Sequence, residues 1–267
     1  MAKKKISKRK IFKIVSAASL LLIMMWASAR FHETKCDVIE INIENSGRDS
    51  VRFLENNDVM ELIYSDVQKI QGYNMDSVNI YNLESKLRKC PYIRNVSIYK
   101  TISGKLKIDV VQRTPLLMVI ANKGKPYYID GDGIVFETSE KYSPPVAVAN
   151  GFINDGFEFP DGMVYRIDLK DSLAGKTVAA DLFRLIKLIE ADDFWRDQIE
   201  QIFVNKLGEY ELVPMVGKYI LSLGSIEDYD KKMYILKEFY FKGLRKTGWN
   251  KYKQISVKYK NQIVCKK

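Results

Sequence analysis

A run of nineteen mostly apolar residues, Ile11–Ala29 (IFKIVSAASLLLIMMWASA), stands directly behind a cluster of positive charge. As a helix it reaches about 28 Å at about 1.5 Å per residue, close to the hydrocarbon thickness of a bilayer. Its one charge, Lys13, lies a turn inside the end, where the aliphatic stem can carry the ammonium outward. Residues 1–10 form a basic tail, and Trp26 suits the far interface. The bias of Lys and Arg toward the preceding side predicts a cytoplasmic N-terminus, with everything after Phe31 across the membrane. Ala27-Ser28-Ala29 fits the small-x-small pattern of a signal-peptide cleavage site. The apolar run from Ile14 to Trp26 merges into that motif without a polar break, so an uncleaved anchor over residues 11–29 is the preferred reading. Cys36 follows Glu-Thr-Lys, which is not a lipidation context.

The anchor changes the meaning of the net charge of +10. Seven Lys or Arg and no acid fall in the first 13 residues, so the remainder is nearly balanced. The basicity is therefore a terminal patch rather than a nucleic-acid-binding face. With one His and three Cys scattered along the chain, neither a zinc site nor a His-dependent nucleophile is assembled. The reading is non-enzymatic, with no catalytic residue, no metal and no cofactor. An anchored hydrolase would rest on acids such as Asp130 and Asp168 alone.

Residues 36–114 read as a β-α-α-β-β unit. Asp37–Asn45 alternates as a strand. A helix follows, with Asn57 or Asp58 as N-cap, then a second that places Ile80, Leu83 and Leu87 on one face and stops before Pro91. Two strands close the unit as a hairpin around Ser103-Gly104. Val96 and Ile98 face inward in one arm, with Leu106, Ile108 and Val110 in the other.

Residues 115–267 read as a mostly antiparallel β domain with two helices. LLMVIANKGKPYYIDGDGIVFE gives strand, turn, strand, turn, strand. Its DGDG lacks the spaced acids and position-twelve Glu of a calcium loop, so a tight turn is expected. AGKT at 174–177 lacks the earlier glycine of a phosphate loop, that position being Lys170, and Thr177 is expected to cap the following helix instead. Three strands follow around Gly208 and Gly217, then a helix over Asp228–Phe241 whose buried stripe is Tyr229, Met233, Leu236 and Tyr240, with Gly243 as its stop. Gln254–Cys265 is expected to be one final strand, Ile255, Val257 and Tyr259 alternating with Ser256, Lys258 and Lys260. A chain-terminal strand is often a sheet edge, able to accept a partner segment as an added strand. The candidate partner-binding residues are Ile255, Ser256, Val257, Lys258, Tyr259, Lys260, Asn261 and Gln262, with Lys232 and Lys237 on the neighbouring helix offering positive charge. Tyr259 is the proposed aromatic anchor.

The phrase CPYIRNVSIYKTISGKLKIDVVQRTP resembles a POTRA domain. With VVQRTPLLMVIANKGKPYYIDGDGIVF at the domain junction and GWNKYKQISVKYKNQIVCKK at the end, the whole α+β order resembles the FtsQ/DivIB cell-division proteins. Gln112 departs from the Glu frequent before the junction Arg in that family, leaving open whether an ion pair forms there. The resemblance implies a divisome scaffold of the bacterial inner membrane, enriched at the division septum, with its outer domains in the periplasm. It implies recruitment through the POTRA unit and a grip on FtsB-like and FtsL-like partners at the C-terminal strand, in support of septal peptidoglycan synthesis. A POTRA-type periplasmic chaperone for extended polypeptides is the alternative.

Overall fold

In the computed structural model, which describes residues 8–32, 35–44, 51–65, 70–167, 177–260 and 262–267, helix α1 runs over Lys8–His32. The side chains described along it, Phe12 and residues 15–27, are all exposed. Val15 and every residue from Leu20 to Trp26 are more than half exposed. Among the described residues, no helix is long and apolar enough to cross a membrane.

The chain divides into two compact units. The first takes in Leu54–Arg88 and Ile93–Val111 with the chain up to Glu44. The second takes in Lys89–Tyr92 and Gln112–Lys267 with the segment ending at Phe53.

In the first unit, β1 (Val38–Glu44) lies parallel to β3 (Lys105–Gln112), and β2 (Ile93–Lys100) flanks β3 on its other side. Helices α2 (Asn56–Tyr64) and α3 (Ile80–Leu87) fill the β1–β2 connection, which gives the expected β-α-α-β-β order. The strict alternation of β3 buries Leu106, Ile108 and Val110 completely, against Val96, Ile98, Leu83, Leu87, Val59 and Ile63. The match to the sequence pattern is closest in β3 and α3, where Leu83 and Leu87 are buried; Ile80 is half-buried, and β1 is half-buried at Ile39, Ile41 and Ile43 with Val38 exposed. Two bonds sew α3 to β2: the Ile98 N–H donates to Glu84 (2.9 Å), and Arg88 donates to the Val96 carbonyl (3.2 Å). The start of α2 differs from expectation. Glu55 is its N-cap, and Asp58 serves instead from the third helical position, accepting from the Glu55 N–H at 2.8 Å. Cys36 is fully buried, its N–H bonded to the Tyr73 carbonyl, and burial pushes its thiol pKa up.

The second unit is a ten-stranded sheet. Strands β4 (Pro115–Val119), β5 (Tyr127–Asp130) and β6 (Ile134–Glu137) form the expected meander, and the two-residue β8 (Tyr165–Arg166) extends it. Beside β4 lies β7 (Ala147–Gly151), parallel to it and to β9 (Ile199–Val204). From β9 the sheet continues antiparallel through β10 (Tyr210–Pro214) to β11 (Ile220–Gly224). It ends with β12 (Gln254–Ser256) and β13 (Val264–Lys266). Helix α4 (Val178–Ala191) covers the sheet with the stripe Leu182, Phe183, Leu185, Ile186 and Ile189. Thr177 holds the N-cap position of α4 but makes no capping bond. Asp155 accepts the Ala179 N–H in its place, at 2.8 Å.

Every residue of β5 is buried, so its alternation serves two cores. Tyr127 and Ile129 join the α4 side. Tyr128 packs instead into an aromatic cluster in which Phe53 stacks on Tyr92 (4.9 Å) and meets Phe136 and Tyr142 edge-on. Asp130 closes the DGDG turn. One carboxylate oxygen accepts the N–H groups of Asp132 and Ile134, both at 2.9 Å, and the other pairs with Arg113 at 2.8 Å. Gln112, the departure at the junction, is buried and donates to the Val51 carbonyl (3.1 Å). The junction arginine therefore finds its carboxylate on β5 rather than on its own strand.

Candidate partner-binding edge

The sheet end that carries the candidate site is built on helix α6 (Tyr229–Phe239). Met233 and Leu236 of α6 are buried in the same core as Leu221, Leu223 and Ile255 of the strands. Beyond Phe239 the helix does not stop at Gly243. It widens into a π-helical turn, Tyr240–Leu244, and finishes in α7 (Arg245–Thr247). Gly243 is there for space, since a Cβ on it would lie 2.5 Å from the Phe239 ring. The actual stop is Gly248, at φ +92°, whose N–H closes on the Leu244 carbonyl at 2.8 Å. The widened turn seats the Tyr240 ring among Phe194, Trp195, Tyr219 and Trp249. Its hydroxyl is hydrogen-bonded to that of Tyr219, 2.9 Å away, and burial pushes both phenols up.

The final segment corrects the expectation of one strand over Gln254–Cys265. It is two short strands. β12 runs parallel to β11, pairing Leu221 with Ile255, and antiparallel to β13, pairing Ile255 with Cys265. β12 is thus an inner strand, and its Ile255 is completely buried. Val257 is buried as well and donates its N–H to Ser222 (3.0 Å). The chain then reverses, with the Gln262 N–H bonded to the Tyr259 carbonyl at 3.2 Å. The alternation seen in the sequence ends at that reversal, because a turn replaces the pleat. Tyr259 therefore sits in the turn, 54% exposed, rather than at the centre of a strand. Lys260 and Gln262 are exposed beside it, and Asn261 lies outside the described residues. Among the described residues the sheet ends on β13, Val264–Lys266, a separate short strand where the sequence predicts the continuation of β12. The signal for it was present: a polar Lys260-Asn261-Gln262 break between two apolar stretches reads as a turn.

The three lysines expected to present charge are all engaged within the fold. Lys258 is paired with Glu209, which also accepts from Asn205 at 3.3 Å. The hydrogen bond from Lys258 is the main cause that lowers the Glu209 carboxyl pKa. Lys232 donates to the Ser225 carbonyl at 2.8 Å, and its burial lowers its own pKa. Lys237 grips both oxygens of Asp192, at 2.7 and 2.5 Å, and lies over the Phe194 ring. That pair ties α6 to the short helix α5 (Asp193–Arg196), where Asp192 is also the N-cap, accepting from Phe194 at 3.0 Å.

Among the described residues, no group of three or more His, Cys, Asp or Glu could hold a metal. Of the two acids a hydrolase would need, Asp130 is committed to Arg113 and its turn, and Asp168 lies outside the described residues.

A β-α-α-β-β unit followed by a large mixed sheet is the architecture of a POTRA-bearing α+β protein. A POTRA-like domain model matches residues 34–111, and a model described as FtsQ/DivIB, C-terminal related, matches residues 114–266. The chain belongs to the FtsQ/DivIB family, which comprises non-enzymatic cell-division proteins associated with the membrane at the septum. A search of curated proteins returned no match.

Proposed function

We propose that this protein is a single-pass divisome scaffold that lends the backbone of β13 to an extended segment of an FtsB-like or FtsL-like partner. The observation that carries the reading is the end position of β13 in the ten-strand order, with β12 as its sheet neighbour. A strand so placed offers a row of N–H and C=O groups to a visiting strand. Cys265 packs inward with the core, which leaves Val264 and Lys266 on the outward face to read the visitor's side chains. Tyr259, Lys260 and Gln262 flank this edge on the turn, while Ile255, Ser256 and Val257 hold β12 beneath it. Lys232, Lys237 and Lys258 fix the supporting helix and turn, and the POTRA unit recruits other divisome components.

Helix α1 serves as the anchor in this reading, with the N-terminus cytoplasmic and both outer units on the periplasmic side. The support is the exposed apolar surface along Leu20–Trp26, which is stable in lipid and costly in water. Its sequence continues apolar at Ile11 and Ile14. The test is site-specific photocrosslinking in dividing cells. Photoreactive residues at 264 and 266 are expected to capture an FtsB-like or FtsL-like chain, whereas one at the more exposed Tyr81 is not. Equal capture from Tyr81, or none from 264 and 266, overturns the reading.

A further inference from the structure

We propose that one end of the C-terminal sheet is a docking surface for an anionic phospholipid bilayer. The proposal rests on the membrane-anchored reading only in that the anchor keeps lipid at hand.

Three segments meet at this end. Parallel pairing makes β11 and β12 begin together, and antiparallel pairing brings the end of β13 back beside them. The Ile220 N–H bonds to the Lys253 carbonyl at 3.0 Å, and the Lys253 N–H to the Lys266 carbonyl at 2.8 Å. The β10–β11 turn, the 248–253 loop and the chain's last residues therefore share one rim. From Phe239 to Lys267 the sequence holds nine Lys or Arg and no acid. Lys218, Lys251, Lys253 and Lys266 stand exposed on the rim. Asp193 and Asp197, beside the Met215 backbone bond to Gln198, share one arginine, Arg196, so the four lysines outweigh the one negative charge left over from that group.

Between the lysines, apolar side chains protrude. Met215 is 64% exposed, Val216 57% and Trp249 43%. Both supports pack against tyrosine rings. Gly217, at φ +110°, leaves no room for a Cβ, which would stand 2.2 Å from the Tyr219 ring, and the Trp249 indole packs against Tyr240 at 5.5 Å. Apolar tips on turns, ringed by lysines and carrying a Trp, match the requirements of a bilayer interface. The tips enter the acyl boundary while the ammoniums meet lipid phosphates. An acidic peptide would be served by a groove or a strand edge, and these side chains stand out from turns.

The full chain, with Lys3, Lys4, Lys5, Lys8, Arg9 and Lys10 changed to Gln in every sample so that the N-terminal basic patch does not itself hold anionic lipid, is reconstituted into neutral-lipid nanodiscs and offered phosphatidylcholine vesicles with or without phosphatidylglycerol, and bound material is floated. Capture by the anionic vesicles alone, released by high salt, is expected. Lys218→Gln, Lys251→Gln and Lys253→Gln together are expected to weaken capture by roughly a hundredfold, at about fivefold per lysine. Met215→Asp with Val216→Asp, both on exposed positions, is expected to abolish it while thermal unfolding stays unchanged. Equal capture by neutral vesicles, no capture, or capture indifferent to either set overturns the proposal. Entry into the nanodisc reports on α1, and the crosslinks at 264 and 266 report on the partner edge, so those readings fail separately from this one. A chain that stays out of nanodiscs is scored by the same vesicle capture.

Discussion

Arg113 and Asp130 form an ion pair at 2.8 Å, with the carboxylate side chain 3% and the guanidinium side chain 13% exposed. Arg113 precedes β4 and Asp130 ends β5, so the pair joins the chain's entry into the sheet to the first tight turn. Both partners are saturated. Asp130 accepts two backbone N–H groups, and Arg113 also donates to the Pro91 carbonyl at 3.0 Å. Truncating one member of a buried pair leaves the other charge without compensation. Asp130→Ala is expected to cost about 3–5 kcal/mol in urea unfolding. A loss below about 1 kcal/mol would contradict the role assigned to this pair.

Two buried tyrosines make opposite predictions. Among the described residues, the Tyr127 hydroxyl is buried without a hydrogen-bond partner. Removing it relieves an uncompensated desolvation, so Tyr127→Phe is expected to be neutral or to stabilise by about 1 kcal/mol. Tyr240→Phe instead strands the Tyr219 hydroxyl and is expected to cost about 1–3 kcal/mol. Thermal unfolding of the two variants side by side separates them, and the same sign of change in both would contradict the hydrogen-bond assignment.

The Asp192–Lys237 pair predicts a pH window. Burial alone would raise the Asp192 carboxyl, but the hydrogen bonds from Lys237 and the Phe194 N–H hold its pKa below the ordinary value. A carboxylate lowered in the folded state contributes stability that is complete above its unfolded pKa of about 4 and is lost as pH falls through the folded value. Lys237→Met is therefore expected to be less stable than wild type by a constant margin above about pH 5, with the gap closing below about pH 4. Denaturant midpoints measured across that range check the sign. A gap that widens toward low pH would contradict it.

Most of the fold is legible in the sequence, and the losses share a cause. Leu106, Ile108 and Val110 announce a strand through period 2, and Leu182, Leu185, Ile186 and Ile189 a helix through a 3.6-residue stripe, because burial alone sets those patterns. Capping bonds are illegible where a distant side chain makes them: Thr177 holds the N-cap position of α4, but Asp155 accepts the Ala179 N–H. Gly243 carries the local signature of a helix stop, yet its missing side chain makes room for Phe239 while Gly248 turns the chain. At the candidate site the apolar alternation of Ile255 and Val257 is real, but it marks an inner strand. A single chain's pattern records which residues face the core and says nothing of which strand ends the sheet. That property emerged only from the pairing of Ile255 with Leu221 on one side and Cys265 on the other. The charges of Lys232, Lys237 and Lys258 were equally visible, and their partners Ser225, Asp192 and Glu209 were not, being contacts set by tertiary packing.

The central claim is that β13 lends its outer backbone to a partner strand. Amide hydrogen exchange on the full chain, with and without a purified FtsB-like partner, tests it most directly. New protection confined to Val264–Lys266, with Gln254–Ser256 unchanged because that strand is already paired on both sides, is the result predicted. Protection that appears elsewhere while 264–266 exchange as before would contradict it.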